Sequence, residues 1–369
     1  MLTGSALTRF RKNLLAWFAQ FQRDMPWRRT RDPYRIWLSE IMLQQTRVAA
    51  AIPYYERFLQ RFPTVEALAN APHEEVLRLW SGLGYYSRAG NLQRAAQQIV
   101  AIHNGVFPNS LPEALALPGI GAYTAAAILS IAYQKKQAVL DGNVARVIAR
   151  LTAIRGDLRA NGTWKKLQRS ADHLLQEHSP GDWNQAMMEL GATLCTPRSP
   201  QCRLCPVSEF CQARKLGLTA VIPEKRANRS TVEISLASLV LVDPRGKTLL
   251  LAPPKSPRKS SSPDAVHTLV SRMWHFPTVA VQQRQPATTL MDFANETLFR
   301  GRRSFADLIP LKNVRHAVTY RAITLLPFRL AVDKLPEVSG SKSLPLADLT
   351  SVPISNLTRK VARAALAPQ

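Results

Sequence analysis

The chain has 369 residues, more than a single hydrophobic core usually serves, and its 46% of hydrophobic residues is ordinary for a globular protein, which excludes disorder throughout. Its net charge is +24, and residues 1–223 and 224–369 each carry +12 of it. A charge spread over both halves points to a polyanion met along the whole chain, nucleic acid before an anionic membrane surface.

Residues 1–223 alternate apolar segments of helical spacing with Gly and Pro, so this half reads as mostly helical. Arg9, Arg11 and Lys12 precede Leu14–Phe18, and the periodicity continues to Phe21: a first amphipathic helix is expected, not a signal peptide. Glu40 stands alone among Trp37, Leu38, Ile41 and Met42. Desolvation there would raise its pKa towards neutrality and make it a candidate general acid, whereas on an outer helix face it would be an ordinary solvated charge. Gly84-Tyr85-Tyr86-Ser87-Arg88 places aromatics beside a cation. Tyr85 is a candidate to enter a base stack and Arg88 to hold a phosphate, although such a pair also packs well in a core.

Leu111 to Leu129 reads as a helix ending near Leu117, a Pro118-Gly119-Ile120-Gly121 hairpin and a second, Ala-rich helix. Gly119 and Gly121 would let backbone N–H groups approach a phosphate without reading a base. The longest apolar run, Ala122 to Tyr133, has twelve residues, too few to span a membrane. Asp141 precedes Gly142 and a helical pattern through Val144, Val147 and Ile148, so it lies at a helix N-terminus. The N–H groups and dipole there are expected to lower its pKa; a plain helix cap has the same signature.

All four cysteines, Cys195, Cys202, Cys205 and Cys211, fall within seventeen residues, separated by six, two and five. That clustering argues for a metal site over disulfides. Zinc more often uses two close pairs; one Cys-x-x-Cys with two outlying cysteines suits a four-iron cluster at least as well. Residues 224–231 turn polar and basic, a linker. Beyond it Val232–Val242, an Asp243–Gly246 turn and Thr248–Leu251 suggest a hairpin, and Pro253 to Pro263 a mobile basic loop.

Met25–Arg28, Trp37–Thr46, Trp80–Arg88, Leu117–Thr124, Leu140–Arg150, Trp183–Gly191 and the cysteine spacing together resemble the helix-hairpin-helix base-excision glycosylases of the iron–sulfur subgroup, and within it the MutY-type adenine DNA glycosylases. The resemblance implies an α-rich two-domain protein. Residues 1–223 would be the helical catalytic domain with the helix-hairpin-helix and cluster loop, and residues 232–369 a smaller α+β, NUDIX-like recognition domain. It implies a [4Fe–4S] cluster on the four cysteines, Glu40 as the acid that protonates adenine, and Asp141 as the anion facing an oxocarbenium-like sugar. Tyr123 and Asn143 would assist around the sugar, and Gln45 and Tyr85 would wedge the duplex. In the endonuclease III type a Schiff-base lysine stands where this chain has Tyr123; a phenol forms no imine, so base removal without lyase chemistry is expected.

In the C-terminal half Met273–Pro277 is the clearest match, and no glutamate-rich NUDIX box is present. The family's Phe-Ser-His reading loop is replaced by Val318-Thr319-Tyr320, so Thr319 and Tyr320 are candidate contacts to 8-oxoguanine. The expected partner is duplex DNA with adenine opposite 8-oxoguanine or guanine, bound by a monomer in the cytoplasm at the nucleoid, with no membrane. Two other readings stand beside this one: a thymine or oxidised-pyrimidine glycosylase of the same superfamily, and a DNA-binding iron–sulfur protein that senses redox state.

Overall fold

The computed structural model describes residues 2–224, 230–253, 273–281, 285–299, 301, 308–318 and 320–367. By packing, the chain divides into two compact units, Met1–Asn70 with Asn91–Ala227, and Ala71–Gly90 with Asn228–Gln369. Part of the expected linker, most of the expected basic loop at Pro253–Pro263, and Thr319 lie outside the described residues.

The first unit is helical. Helix α1 (Gly4–Phe21) buries Phe10, Leu14 and Phe18, one face of the expected amphipathic pattern. Helix α2 (Pro33–Leu43) starts where Asp32 accepts hydrogen bonds from the N–H of Tyr34 at 2.8 Å and of Arg35 at 3.4 Å, with Pro33 at its first position. Every residue from Ile36 to Met42 is buried, Glu40 included. Helices α3 (Val48–Arg61) and α4 (Val65–Ala69) follow. The expected hairpin joins α7 (Leu111–Ala116) to α8 (Ala122–Tyr133). Helix α8 is buried from Thr124 to Ile131, and its alanines let α2 and α11 (Pro180–Thr193) pack on either side.

Helix α9 (Gly142–Thr152) begins at Asp141, whose carboxylate accepts the Val144 N–H at 2.7 Å. Its start is clamped from α11. A Cβ at Gly191 would fall 2.8 Å from Asn143 Cβ and 3.0 Å from Asn143 O, so only glycine permits that approach. Buried Asn184 accepts the Val139 N–H at 3.2 Å and donates to Gln137 O at 2.7 Å and Ser130 Oγ at 2.8 Å, fixing the segment that leads to Asp141. Helices α10 (Asn161–Leu174) and α12 (Gln212–Lys215) pack on α9.

The second unit contains α5 (His73–Trp80) and the start of α6 (Ser87–His103), together with a five-stranded sheet and a two-stranded ribbon. In the sheet β1 (Val232–Val242) runs parallel to β6 (Arg321–Ala331), Val232 opposite Arg321. Strand β3 (Thr278–Ala280) pairs antiparallel with β1, and β4 (Ile309–Pro310) and β5 (Val314–Val318) antiparallel with β6. Along β1, Ile234, Leu236, Val240 and Val242 face α14 (Asn356–Leu366), while Ala237, Leu239 and Leu241 face α13 (Pro286–Ala294).

Both faces being covered explains why the expected hairpin is wrong. The turn exists, with Gly246 N–H donating to Asp243 O at 2.9 Å, yet the following strand β2 (Lys247–Leu251) leaves the sheet and pairs with β7 (Ser341–Pro345). A nearly continuous apolar run marks a central strand; a half-exposed hairpin arm would alternate.

Candidate active site

Glu40, Tyr123, Asp141, Asn143 and Gln45 line one cavity of about 420 Å³ in the first unit. Glu40 reaches it from α2, Tyr123 from the first turn of α8, and Asp141 and Asn143 from the start of α9. The Tyr123 hydroxyl donates to Glu40 Oε2 at 2.7 Å, with Met188 Sδ at 3.2 Å. Burial pushes the Glu40 carboxyl up to about 7; the Tyr123 hydrogen bond and Arg28 oppose the rise and Asp141 adds to it. Burial also holds the Tyr123 phenol well above its ordinary range, so it remains a donor.

Asp141 Oδ1 caps α9, and its Oδ2 accepts Asn143 Nδ2 at 3.0 Å. Its pKa is raised, not lowered as the helix N-terminus alone implies. Burial outweighs the N–H groups of Val144 and Asn143, the Asn143 side chain and Arg146. Arg146 donates to Asn143 Oδ1 at 3.0 Å, Gly191 O at 2.8 Å and Cys195 O at 2.8 Å, tying Asn143, and through it Asp141, to the cysteine loop.

An ion cluster of Arg23, Arg28 and Glu189 also lines this cavity, and the sequence assigns none of the three a role. Glu189, buried on α11, accepts Arg23 Nε at 2.6 Å and Arg28 Nη2 at 2.8 Å. Burial alone would raise its pKa, but the hydrogen bonds from Arg23 and Arg28 prevail and hold it near 2. The cavity therefore keeps one carboxyl close to neutrality and another firmly ionised. Glu189 carries the same signal as Glu40, a lone carboxylate in the apolar run Ala186-Met187-Met188-Glu189-Leu190; its arginine partners, more than 160 positions away, carry none. A wider hollow of about 800 Å³ in the second unit is open, and its rim pair Lys334–Glu337 lies in solvent.

In the hairpin before α8, Gly119 has φ +79°, and a Cβ there would strike Asn91 at 2.7 Å. Gly121 faces open space, as a phosphate approach requires. Tyr85 is 39% exposed and belongs to the second unit. Arg88 corrects the phosphate expectation: it is 8% exposed, and its guanidinium donates to Leu83 O and Gly84 O at 3.3 and 3.2 Å while stacking over Trp80 at 5.3 Å. It fixes the loop from within. Tyr320 is partly exposed beside the end of β5, with the Arg321 guanidinium over its ring at 5.2 Å. Gln45 is exposed at φ +59°.

The four cysteines are free thiols lining a common pocket. Arg150 donates to Cys195 Sγ at 3.3 Å, and Cys211 Sγ donates to Arg150 O at 3.4 Å. Cys205 is pushed up to about 12 by burial and then by the three other cysteines, so four thiolates here need a compensating cation. Among the described residues no three His, Cys, Asp or Glu converge as a single ion requires. A four-iron cluster would take one thiolate at each of its four irons, and these four cysteines lining one pocket supply that number.

Residues 38–173 match the HhH-GPD superfamily of base excision DNA repair proteins, and residues 195–211 the iron-sulfur binding domain of endonuclease III. The chain is 34% identical over 409 residues to the adenine DNA glycosylase of Mus musculus, covering 97% of this chain and 78% of that one. The chain belongs to the adenine DNA glycosylase family. Over 219 residues it is 48% identical to the adenine DNA glycosylases of Rattus norvegicus and Homo sapiens, spanning 42% and 40% of their lengths. The iron-sulfur match at residues 195–211 spans all four cysteines, and the chain carries a [4Fe–4S] cluster there. Among solved structures, a thermostable thymine-DNA glycosylase superposes with a TM-score of 0.53 at 31% identity, covering 57% of this chain and 97% of that one. An endonuclease III–DNA covalent intermediate shares the fold at TM-score 0.50 and 21% identity, covering 59% of this chain and all of that one.

Proposed function

We propose that the protein is a monofunctional DNA glycosylase that removes adenine opposite 8-oxoguanine or guanine in duplex DNA. The observation that carries this reading is the carboxyl of Glu40, buried on the wall of a cavity, held near neutrality and touched by a phenol. A general acid works best with a pKa near the working pH, and adenine leaves more readily once its ring is protonated. Glu40 supplies that proton. Asp141, braced by Asn143 and the start of α9, becomes the counter-ion of the developing oxocarbenium sugar, whose positive charge favours its ionised form. Water then completes the hydrolysis.

Arg28 and Glu189 line the wall on which a flipped base would rest, a donor beside a fixed anion that suits the amino and ring-nitrogen edge of adenine. Flipping costs a few kcal/mol and least at a mismatch, which Gln45 and Tyr85 would exploit as wedges. Thr319 and Tyr320, in a NUDIX-like reading unit, would contact the opposite base, and the hairpin at Gly119 and Gly121 would hold the backbone. On this reading the protein acts as a monomer on nucleoid DNA in the cytoplasm; no described helix is long and apolar enough to cross a membrane.

The test is free adenine released from an A·8-oxoguanine duplex, with borohydride added to a parallel reaction. Adenine release without a trapped protein–DNA adduct supports the reading; a trapped adduct contradicts the monofunctional part. Because a thymine-DNA glycosylase shares the helical fold, a G·T duplex belongs beside these, and thymine released in preference to adenine would overturn the substrate.

A further inference from the structure

Helix α14 bonds at one end of its surface to the Ser81–Tyr85 loop and at another to the strand that runs into residues 318–320. Asn356 Nδ2 donates to Gly82 O at 3.1 Å, and Arg359 Nη2 donates to Ser81 Oγ at 2.8 Å and Ser81 O at 3.4 Å. The Ser81 hydroxyl, buried, donates in turn to Ile354 O at 2.6 Å, in the turn just before α14. Next along the helix, Lys360 Nζ donates to Arg315 O at 2.8 Å on β5. Helix α5, which leads into the loop, is tied to the same region, since Glu74 Oε1 accepts Trp274 Nε1 at 2.8 Å and Lys342 Nζ at 2.9 Å. Trp274 is joined to that turn by its N–H, which donates to Pro353 O at 2.9 Å. All of these residues lie in one compact unit.

The loop they grip is bent against its own preference. Gly82, Gly84 and Tyr85 have φ of +111°, +74° and +48°. A tyrosine in the left-handed region is strained and stays there only where its surroundings over-determine it. Inside the loop Arg88 and Trp80 hold the carbonyls of Leu83 and Gly84. The carbonyls of Ser81 and Gly82 are held instead by α14, 270 and more positions away in sequence.

We infer that α14 is a strut that links β5, the strand carrying Val318, to the placement of Tyr85, with Arg359 and Asn356 as positioning residues at the wedge end and Lys360 as the tie at the reading end. The inference rests on the proposed roles of Tyr85 as wedge and of residues 318–320 as reader. Its consequence is that preference for 8-oxoguanine depends on side chains that need touch neither the DNA nor the adenine.

Single-turnover excision of adenine opposite 8-oxoguanine and opposite guanine tests it, with wild type, Arg359→Ala, Arg359→Lys, Asn356→Ala, Tyr85→Ser and the Tyr85→Ser/Arg359→Ala double variant. Arg359→Ala is expected to slow excision opposite 8-oxoguanine about tenfold, through loss of its bonds to Ser81, and excision opposite guanine less, so the preference narrows. Arg359→Lys restores part of the rate. In the Tyr85→Ser background Arg359→Ala changes the rate less than about twofold, because the residue it acts through is already gone. Losses that multiply in the double variant, or an unchanged preference in Arg359→Ala, overturn the strut. If Arg359→Ala does not fold, Asn356→Ala decides in the same way, narrowing the preference or overturning the inference. Wild-type excision by Tyr85→Ser would instead remove the wedge reading on which the strut depends.

Discussion

Tyr123 on α8 donates its hydroxyl to Glu40 Oε2 on α2 at 2.7 Å, and that bond draws the Glu40 pKa down while burial drives it up to about 7. The phenol therefore tunes the acid it touches. Tyr123→Phe removes the downward pull and leaves the burial. The limb on which excision falls with rising pH, set by loss of the Glu40 proton, is expected to move to higher pH in Tyr123→Phe. A single-turnover pH profile checks it; a limb moved to lower pH contradicts it.

The raised carboxyl also has a signature in stability. Because the folded-state pKa of Glu40 lies near 7, above its ordinary value, its stabilising contribution is complete below about pH 4 and is lost as pH rises through about 7. Glu40→Gln, which mimics the protonated group, is expected to match wild type at pH 4. At pH 9 it should be more stable by up to about 3 kcal/mol. Urea melts at the two pH values measure the difference, and a variant less stable at pH 9 than wild type would sink this reading.

Glu189 carries the opposite sign. Held near 2 by Arg23 and Arg28, it stabilises above its ordinary pKa, and that contribution is lost as pH falls towards 2. Glu189→Ala leaves Arg28, whose side chain is 9% exposed, without its anion, at an expected cost of about 3–5 kcal/mol at neutral pH. The uncompensated Arg28 charge also lowers the Glu40 pKa, so the high-pH limb of excision is expected to move down, opposite to Tyr123→Phe. Denaturation at pH 7 and the same pH profile report both effects.

Arg150, 2% exposed, holds Cys195 Sγ together with Thr196 O at 2.7 Å and Ile222 O at 2.8 Å, and Cys211 bonds back to its carbonyl. Arg150→Met removes the donor that these three acceptors share. Iron per chain and the visible absorbance of the cluster are expected to fall with it; full iron content in the variant would show that the arginine is not needed to shape the loop.

Much of the site was legible because its signals are local. Glu40 stood out as one carboxylate among apolar neighbours at helical spacing, Asp141 as an acid before glycine and a helix, and the hairpin by Gly119 and Gly121. What was missed depends on partners distant in sequence. The cap at Asp141 was read correctly, but its pKa direction was not, because the burial that outweighs the cap comes from helices packed around it. At Arg88 the local sequence leaves phosphate contact and core packing both open, because nothing local says that the guanidinium turns inward to Leu83 and Gly84. The Arg23–Glu189–Arg28 cluster and the departure of β2 from β1 are likewise long-range facts.

The most direct measurement is adenine release from duplexes carrying A opposite 8-oxoguanine, G or T, by wild type and Glu40→Gln. Wild type is expected to leave alkali-labile abasic sites, fastest opposite 8-oxoguanine and slowest opposite T, and Glu40→Gln to lose about 10²–10⁴-fold while remaining folded and bound to DNA. Excision by Glu40→Gln at the wild-type rate, or none by wild type from any duplex that it binds, would contradict the assignment of Glu40 as the acid of an adenine glycosylase.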